Sequence, residues 1–167
     1  MTIHKRNVPV DVVNLLTLDD FGTPKLAVEL VPSTAWGDNL RSILTKDMWD
    51  TLRKRVYKKA RYRCEICNGK GPKWPVECHE KWNYDDTNHT QTLLGLIALC
   101  PACHSVKHLG FAHIQGKGIE AREHLATVNK WSQSRTSQYI GLVFKQWEER
   151  SNHEWNLNLD WLGTQSR

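Results

Sequence analysis

Two Cys-x-x-Cys pairs constrain the fold of this chain more than any other feature of its sequence. Two residues between the cysteines let both sulfurs of a tight turn reach one ion, and two such pairs complete a tetrahedral site. Matched pairs favour zinc over the chance burial of reduced cysteines. The cysteines are Cys64 and Cys67 in the first pair, and Cys100 and Cys103 in the second. The sequence therefore predicts a structural Zn²⁺, a closed site that cannot itself activate water.

The apolar pattern and the net charge of the chain indicate where the protein is located and what kind of partner it binds. Acidic and amide residues interrupt residues 1–20, so no signal peptide is predicted, and no later stretch is apolar enough to span a membrane. We therefore expect a soluble, cytoplasmic protein without a membrane partner, in which the five cysteines stay reduced and available as ligands. The formal net charge of +5 and the pI of about 9.0 favour an anionic partner.

The apolar periodicity predicts an α+β fold in three parts. The N-terminal extension contains a hairpin across residues 8–31, and the C-terminal extension contains two amphipathic helices followed by a short strand. The central part holds both cysteine pairs. The predicted boundaries of the three parts are 1–44, 45–112 and 113–167.

The central part has recognisable start signals for its helices. Thr45 is a predicted N-cap for a helix across 46–63. Strands are predicted at 74–82 and 91–100, and Pro101 suits the first turn of the helix that follows. This order places the second cysteine pair where a strand passes into a helix.

Basic residues crowd the helix that leads into the first cysteine pair. Such a run is typical of a solvated helix face. Because this one leads directly into the cysteine turn, it is also a candidate set of phosphate contacts, which position nucleic acid without reading its sequence. The candidate contacts are Arg53, Lys54, Lys58, Arg61 and Arg63.

Three histidines stand near the cysteines in the sequence. His104 and His108 are four residues apart and share one face of the predicted helix, where they either hold a divalent ion or simply meet solvent. His79 lies on the first predicted strand, directly after Cys78. A histidine there titrates near neutral pH and can accept a proton.

The order of these residues resembles the HNH nuclease family, whose ββα-metal motif is two strands followed by a helix. The resemblance covers residues 60–110 and is carried by Cys-x-x-Cys, a strand with His79, and the segment LCPACHSVKH. It implies that His79 is the general base, that His104 binds a catalytic metal and that His108 is an additional ligand. It also implies that the cysteines hold a structural zinc.

Two positions depart from the family pattern. The residue before the general base is usually Asp or His and binds the catalytic metal, whereas this chain has Cys78. A thiolate there suits zinc better than magnesium. The family's middle Asn is replaced by Gly95, with Asn83 and Asn88 as nearby substitutes in the predicted loop.

A second registration of the motif is also open. In it, His79 joins the two helical histidines as a metal ligand, Cys78 is a core residue, and Glu80 or His89 serves as the base. Glu77 and Glu80 are otherwise candidates for orienting a neighbouring ligand.

These features predict a metal-dependent HNH endonuclease that nicks or cuts DNA. His79 would activate water, and one divalent ion (Mg²⁺, Mn²⁺, Ni²⁺ or Zn²⁺) would stabilise the leaving group. RNA is an alternative substrate, and the sequence leaves open the oligomeric state and any role in phage packaging, homing or bacterial defence. The competing hypothesis is a noncatalytic zinc module that binds nucleic acid or a protein, for which His79 has no purpose.

Overall fold

The computed structural model describes residues 16–165, and these residues form an α+β fold, as predicted. Short 3-10 helices lie at Leu18–Phe21, Ser33–Ala35 and Asp160–Gln165. The longer elements, in chain order, are α1 (Leu40–Ile43), α2 (Lys46–Lys59), β1 (Glu77–Asp85), β2 (Thr90–Leu99), α3 (Pro101–Lys107), α4 (Leu109–Ile114), α5 (Gly118–Asn129), α6 (Gln133–Arg150) and β3 (Asn156–Asn158). None of these helices is both long and apolar enough to cross a membrane.

The strands form one sheet in the order β1-β2-β3. β1 and β2 are an antiparallel hairpin, and β3 adds in parallel to β2. The β1–β2 register shifts between Lys81 and Trp82, which pair with Gly95 and Leu93, so Leu94 is left over as a bulge. Gly95 has a φ of +148°, a conformation that side chains other than glycine's rarely adopt.

The hairpin separates two apolar clusters, because successive strand residues point to opposite faces. One face packs on α3 to α6, where Leu99, Val106 and Leu125 are fully buried. The other face carries Cys78, Trp82 and Leu93, which pack with Leu40 of α1, Trp49 of α2 and the C-terminal 3-10 helix. Each residue of β1 therefore belongs to one side of the sheet or the other.

The predicted start signals of the helices are present. The Thr45 hydroxyl accepts a hydrogen bond from the Met48 amide at 3.3 Å and begins α2. Pro101 occupies the first turn of α3, where a missing N–H costs nothing. Cys100 is the N-cap of α3, and its sulfur accepts a hydrogen bond from the Cys103 amide at 3.5 Å.

The second strand of the N-terminal hairpin predicted across 8–31 is not formed. Residues 25–31 contain no strand, and residues 8–15 lie outside the described residues. Helices satisfy the backbone of this segment instead: Asn129 bonds both polar groups of Leu26, and the Tyr139 hydroxyl accepts from the Val28 amide at 3.2 Å. The predicted C-terminal strand is likewise shorter than expected, because a 3-10 helix begins at Asp160.

The packing of α5 predicts how strongly the core supports the fold. Leu125 has none of its surface exposed, so Leu125→Ala should lower the free energy of unfolding by about 2–5 kcal/mol through lost burial and a residual cavity. Ile119 on the same helix is 73% exposed, and Ile119→Ala should change it by less than about 0.5 kcal/mol. Urea denaturation followed by circular dichroism measures both, and equal effects would contradict this assignment of the core.

Candidate metal centres

The four cysteines of the two pairs come together in one cluster. Cys64 and Cys67 lie in the turn after α2, and Cys100 and Cys103 lie at the start of α3. All four sulfurs are within 4.8 Å of one another, and the Cys67 and Cys100 sulfurs are 3.6 Å apart. All are free thiols, so the cysteine cluster could hold a metal ion. Four thiolates leave no open position, which is the pattern of a structural site.

Hydrogen-bond donors surround the sulfurs of the cysteine cluster. The Gly69 amide donates to Cys67 Sγ at 3.4 Å, and His124 Nε2 of α5 lies 3.1 Å from Cys103 Sγ. A hydrogen bond from Cys103, aided by backbone amides, lowers the pKa of Cys64 to about 4 despite its burial. This pKa favours the thiolate form of Cys64, which is the form that binds metal, whereas burial and the neighbouring sulfurs raise the pKa values of the second cysteine pair.

Three histidines form a second cluster. His79 comes from β1, His104 from the middle of α3, and His108 from the end of α3. One ring nitrogen from each lies within 4.8 Å of the other two. The ring centroid of His79 is 5.3 Å from that of His104 and 5.0 Å from that of His108. The centroids of His104 and His108 are 4.9 Å apart. The three rings therefore form a nearly even triangle.

A carboxylate holds the outer nitrogen of two of these rings. Glu77 Oε2 is 2.6 Å from His104 Nδ1, and Trp74 Nε1 donates to the other oxygen of Glu77 at 2.8 Å. Glu29 Oε2 is 2.7 Å from His79 Nε2. Such carboxylate contacts fix ring orientation and tautomer, and they are usual behind metal-binding histidines.

The environment keeps two of the three rings of the histidine cluster in the form that binds metal. Burial lowers the pKa of His108 to about 3, and the neighbouring histidines add to this effect. Burial also lowers the pKa of His79, by more than the hydrogen bond from Glu29 raises it. Both rings are therefore neutral at physiological pH, and each has a nitrogen lone pair free for an ion. Neutral imidazoles suit Zn²⁺, Ni²⁺ and Cu²⁺ better than Mg²⁺.

Cys78 lies outside the histidine cluster, so this geometry does not support the prediction that it binds the catalytic metal. Its side chain lies on the opposite face of the sheet, packed with Leu40, Trp49 and Leu93. Burial raises the pKa of Cys78 to about 12, so it remains a neutral thiol. The residue is part of the core.

The two predicted orienting glutamates separate in the same way. Glu77 contacts His104, as described above, whereas Glu80 shares the face of Cys78. Glu80 accepts hydrogen bonds from the Leu40 amide at 2.8 Å and from Trp82 Nε1 at 3.2 Å. It therefore anchors the start of α1 and does not orient a histidine of the cluster.

The other residues considered for the site lie elsewhere. His89 stacks on His153, with ring centroids 4.1 Å apart, at the turn between β1 and β2. Asn88 donates to Asp85 in the same turn at 2.8 Å. Gly95, at the position of the family's Asn, is at the bulge of β2.

The predicted phosphate contacts lie mostly across the sheet from the histidine cluster. α2 packs through Trp49 on the face that carries Cys78. Lys54, Lys58, Arg61 and Arg63 are exposed, while Arg53 forms an ion pair with Asp50 at 2.7 Å. Arg61 and Arg63 line an open cavity of about 480 Å³ beside the turn of the first cysteine pair. Their contact with nucleic acid stays a prediction.

One residue that contacts the histidine cluster could not be identified from the sequence. Glu29 lies in the N-terminal segment KLAVELV, far from every motif. Its single local signal is an acidic residue inside an apolar run. That signal does not reveal a partner on β1.

Comparison with known proteins gives no assignment: the chain matches no protein-family model, no curated protein and no solved structure.

The cysteine cluster predicts opposite results for two cysteine substitutions. Cys64→Ser should remove the bound metal and unfold the chain, because three thiolates hold the ion far less well and its binding energy is folding energy. Cys78→Ser should keep the metal, because Cys78 lies outside the cluster. Elemental analysis with circular dichroism measures both. A full metal content in Cys64→Ser would contradict the assignment of the cluster.

Proposed function

We propose that this protein is a metal-dependent endonuclease of HNH type that hydrolyses phosphodiester bonds of DNA. The observation that carries the proposal is the triangle of His79, His104 and His108 between a β-hairpin and the helix that follows it. The order β1-β2-α3 agrees with the ββα-metal motif that the sequence resembles. RNA is an alternative substrate of the same chemistry.

The proposal assigns a different metal role to each cluster. The cysteine cluster would hold a structural Zn²⁺ that joins the turn after α2 to the start of α3. The histidine cluster would hold the catalytic divalent ion, for which Zn²⁺ and Ni²⁺ are better suited than Mg²⁺. An ion there would stabilise charge on the leaving oxygen and lower the pKa of a bound water.

His79 has two roles open to it in this proposal. The even triangle of rings supports His79 as a third ligand, although Glu80 and His89, the bases of the second registration, both lie away from the cluster. The general-base role would instead leave the ion to His104 and His108, with His79 facing a water. Glu29 suits both roles, because a carboxylate on Nε2 raises the basicity of the ring whether it binds a metal or a proton.

The competing proposal is a noncatalytic zinc module that binds nucleic acid or protein. It accounts for the cysteine cluster and for the exposed basic residues, but it gives no reason to gather one buried and two half-buried histidines and to place carboxylates against two of them. That arrangement favours the enzyme.

A plasmid-nicking assay tests the enzyme proposal. Supercoiled DNA should be nicked or linearised in Mg²⁺, Mn²⁺, Ni²⁺ or Zn²⁺, and His79→Ala and His104→Ala should each reduce the rate by at least about 100-fold, whichever role His79 has. His89→Ala is the matched control and should retain activity, because His89 stacks on His153 outside the cluster. If no metal supports cleavage that His79→Ala abolishes, the noncatalytic module is favoured.

A metal titration separates the two roles of His79. With the cysteine cluster filled by zinc, Co²⁺ binding to the histidine cluster is followed by its visible absorption. If His79 is a ligand, as the triangle of rings indicates, His79→Ala should weaken Co²⁺ binding by at least about tenfold. Unchanged affinity together with lost cleavage would assign His79 as the general base.

A further inference from the structure

Glu29 connects the N-terminal segment to the histidine cluster through both its backbone and its side chain. The Glu29 amide donates to the Lys107 carbonyl at 3.0 Å. Its carboxylate divides between two partners, with Oε2 2.7 Å from His79 Nε2 and Oε1 2.5 Å from Lys107 Nζ. Glu29 therefore links β1 to the end of α3, the helix that carries the other two histidines.

The burial of His79 and Lys107 gives this link an electrostatic role as well as a geometric one. His79 and Lys107 are 5% and 6% exposed, and a buried ammonium group is costly unless a carboxylate pairs with it. Glu29 is the acidic partner of Lys107 in the described residues. Each carboxylate oxygen of Glu29 faces one nitrogen, that of Lys107 or that of His79, and the pairing with the buried ammonium group keeps the carboxylate ionised.

An ionised carboxylate selects one tautomer of the histidine beside it. A carboxylate can only accept hydrogen bonds, so His79 Nε2 must carry the proton that fills this contact. The lone pair is then on Nδ1, the nitrogen left for the centre of the cluster. Lys107 occupies the other carboxylate oxygen and so restricts the rotation of the carboxylate about its bond.

We propose that Glu29 is a positioning residue, which holds His79 in the Nε2–H tautomer with Nδ1 directed at the ion site, and that Lys107 fixes the Glu29 carboxylate for this purpose. This inference rests on the proposed function, because it assigns the cluster a metal. Under this inference a residue of the N-terminal segment, outside β1, β2 and α3, helps to form the metal site.

The simpler role for Glu29 is to fasten the N-terminal segment to α3, which would affect stability alone. The two roles differ in what they predict for the His79 ring. A fastening role leaves the tautomer and the metal affinity unchanged in a variant that still folds, whereas a positioning role changes both.

The test compares Glu29→Gln with Glu80→Gln, which replaces a half-buried glutamate bonded to Leu40 on the other side of the hairpin. An amide can both donate and accept, so Glu29→Gln pairs with either tautomer of His79. Long-range ¹⁵N–¹H NMR of the protein with zinc in the cysteine cluster alone should show the Nε2–H form in the wild type and in Glu80→Gln. In Glu29→Gln it should show a mixture of both forms.

Metal binding and cleavage supply the second measurement. Glu29→Gln and Glu29→Ala should weaken Co²⁺ binding at the histidine cluster by about 10–100-fold, which is usual for the loss of a residue behind a ligand. Lys107→Met should weaken it less than Glu29→Ala does, since the Glu29–His79 contact stays. The turnover number for DNA should fall with no change in KM, because Glu29 contacts His79 and not the substrate.

A folded Glu29→Gln protein that keeps the Nε2–H form and wild-type Co²⁺ affinity would overturn the inference. Glu29→Ala is the second variant if Glu29→Gln does not fold, and wild-type Co²⁺ affinity in Glu29→Ala would overturn the inference as well. Because NMR and Co²⁺ binding do not require hydrolysis, failure of the nuclease proposal is seen separately, as a wild-type protein that binds the metal and cleaves nothing.

Discussion

The rest of the structure depends on the meeting of the four cysteine sulfurs at the start of α3. Cys100 follows the last residue of β2, caps α3 and contributes a sulfur to the cysteine cluster. The direction in which α3 leaves the sheet is therefore set by the same residue that joins α3 to the turn after α2. Because His104 lies directly after Cys103, that direction also determines where the first helical histidine lies relative to β1. The cysteine cluster and the histidine cluster are therefore both positioned by α3.

The alternation of β1 decides which of its polar residues can take part in chemistry. Glu77 and His79 face α3, while Cys78 and Glu80 face α1 and α2. The sequence prediction of Cys78 as a ligand came from its position beside His79 in the family pattern. Adjacent residues on a regular strand point to opposite faces, and Cys78 is the one of the two that packs among apolar residues away from the histidine cluster.

Local signals were predicted well from the sequence, and long-range ones were not. The Thr45 cap, Pro101 and the two cysteine pairs each require a particular backbone or ligand geometry within a few residues, so their sequence pattern carries the information. Glu29 contacts His79 from 50 positions away, and nothing around Glu29 names that partner. The N-terminal hairpin was predicted from β-branched residues, but the side chains of Asn129 and Tyr139 supply the hydrogen bonds that a strand partner would.

The charge of an ion in the histidine cluster bears on the class of substrate that we propose. Imidazole binds a metal as a neutral ligand, so a divalent ion held by the three histidines would keep most of its attraction for an anion. The two carboxylates lie one contact further out, and that of Glu29 is already paired with Lys107. A phosphodiester would meet a centre that is positive where the phosphate oxygens bind. A cluster built from carboxylates would neutralise the ion, and the positive charge available to stabilise a departing oxygen would be smaller.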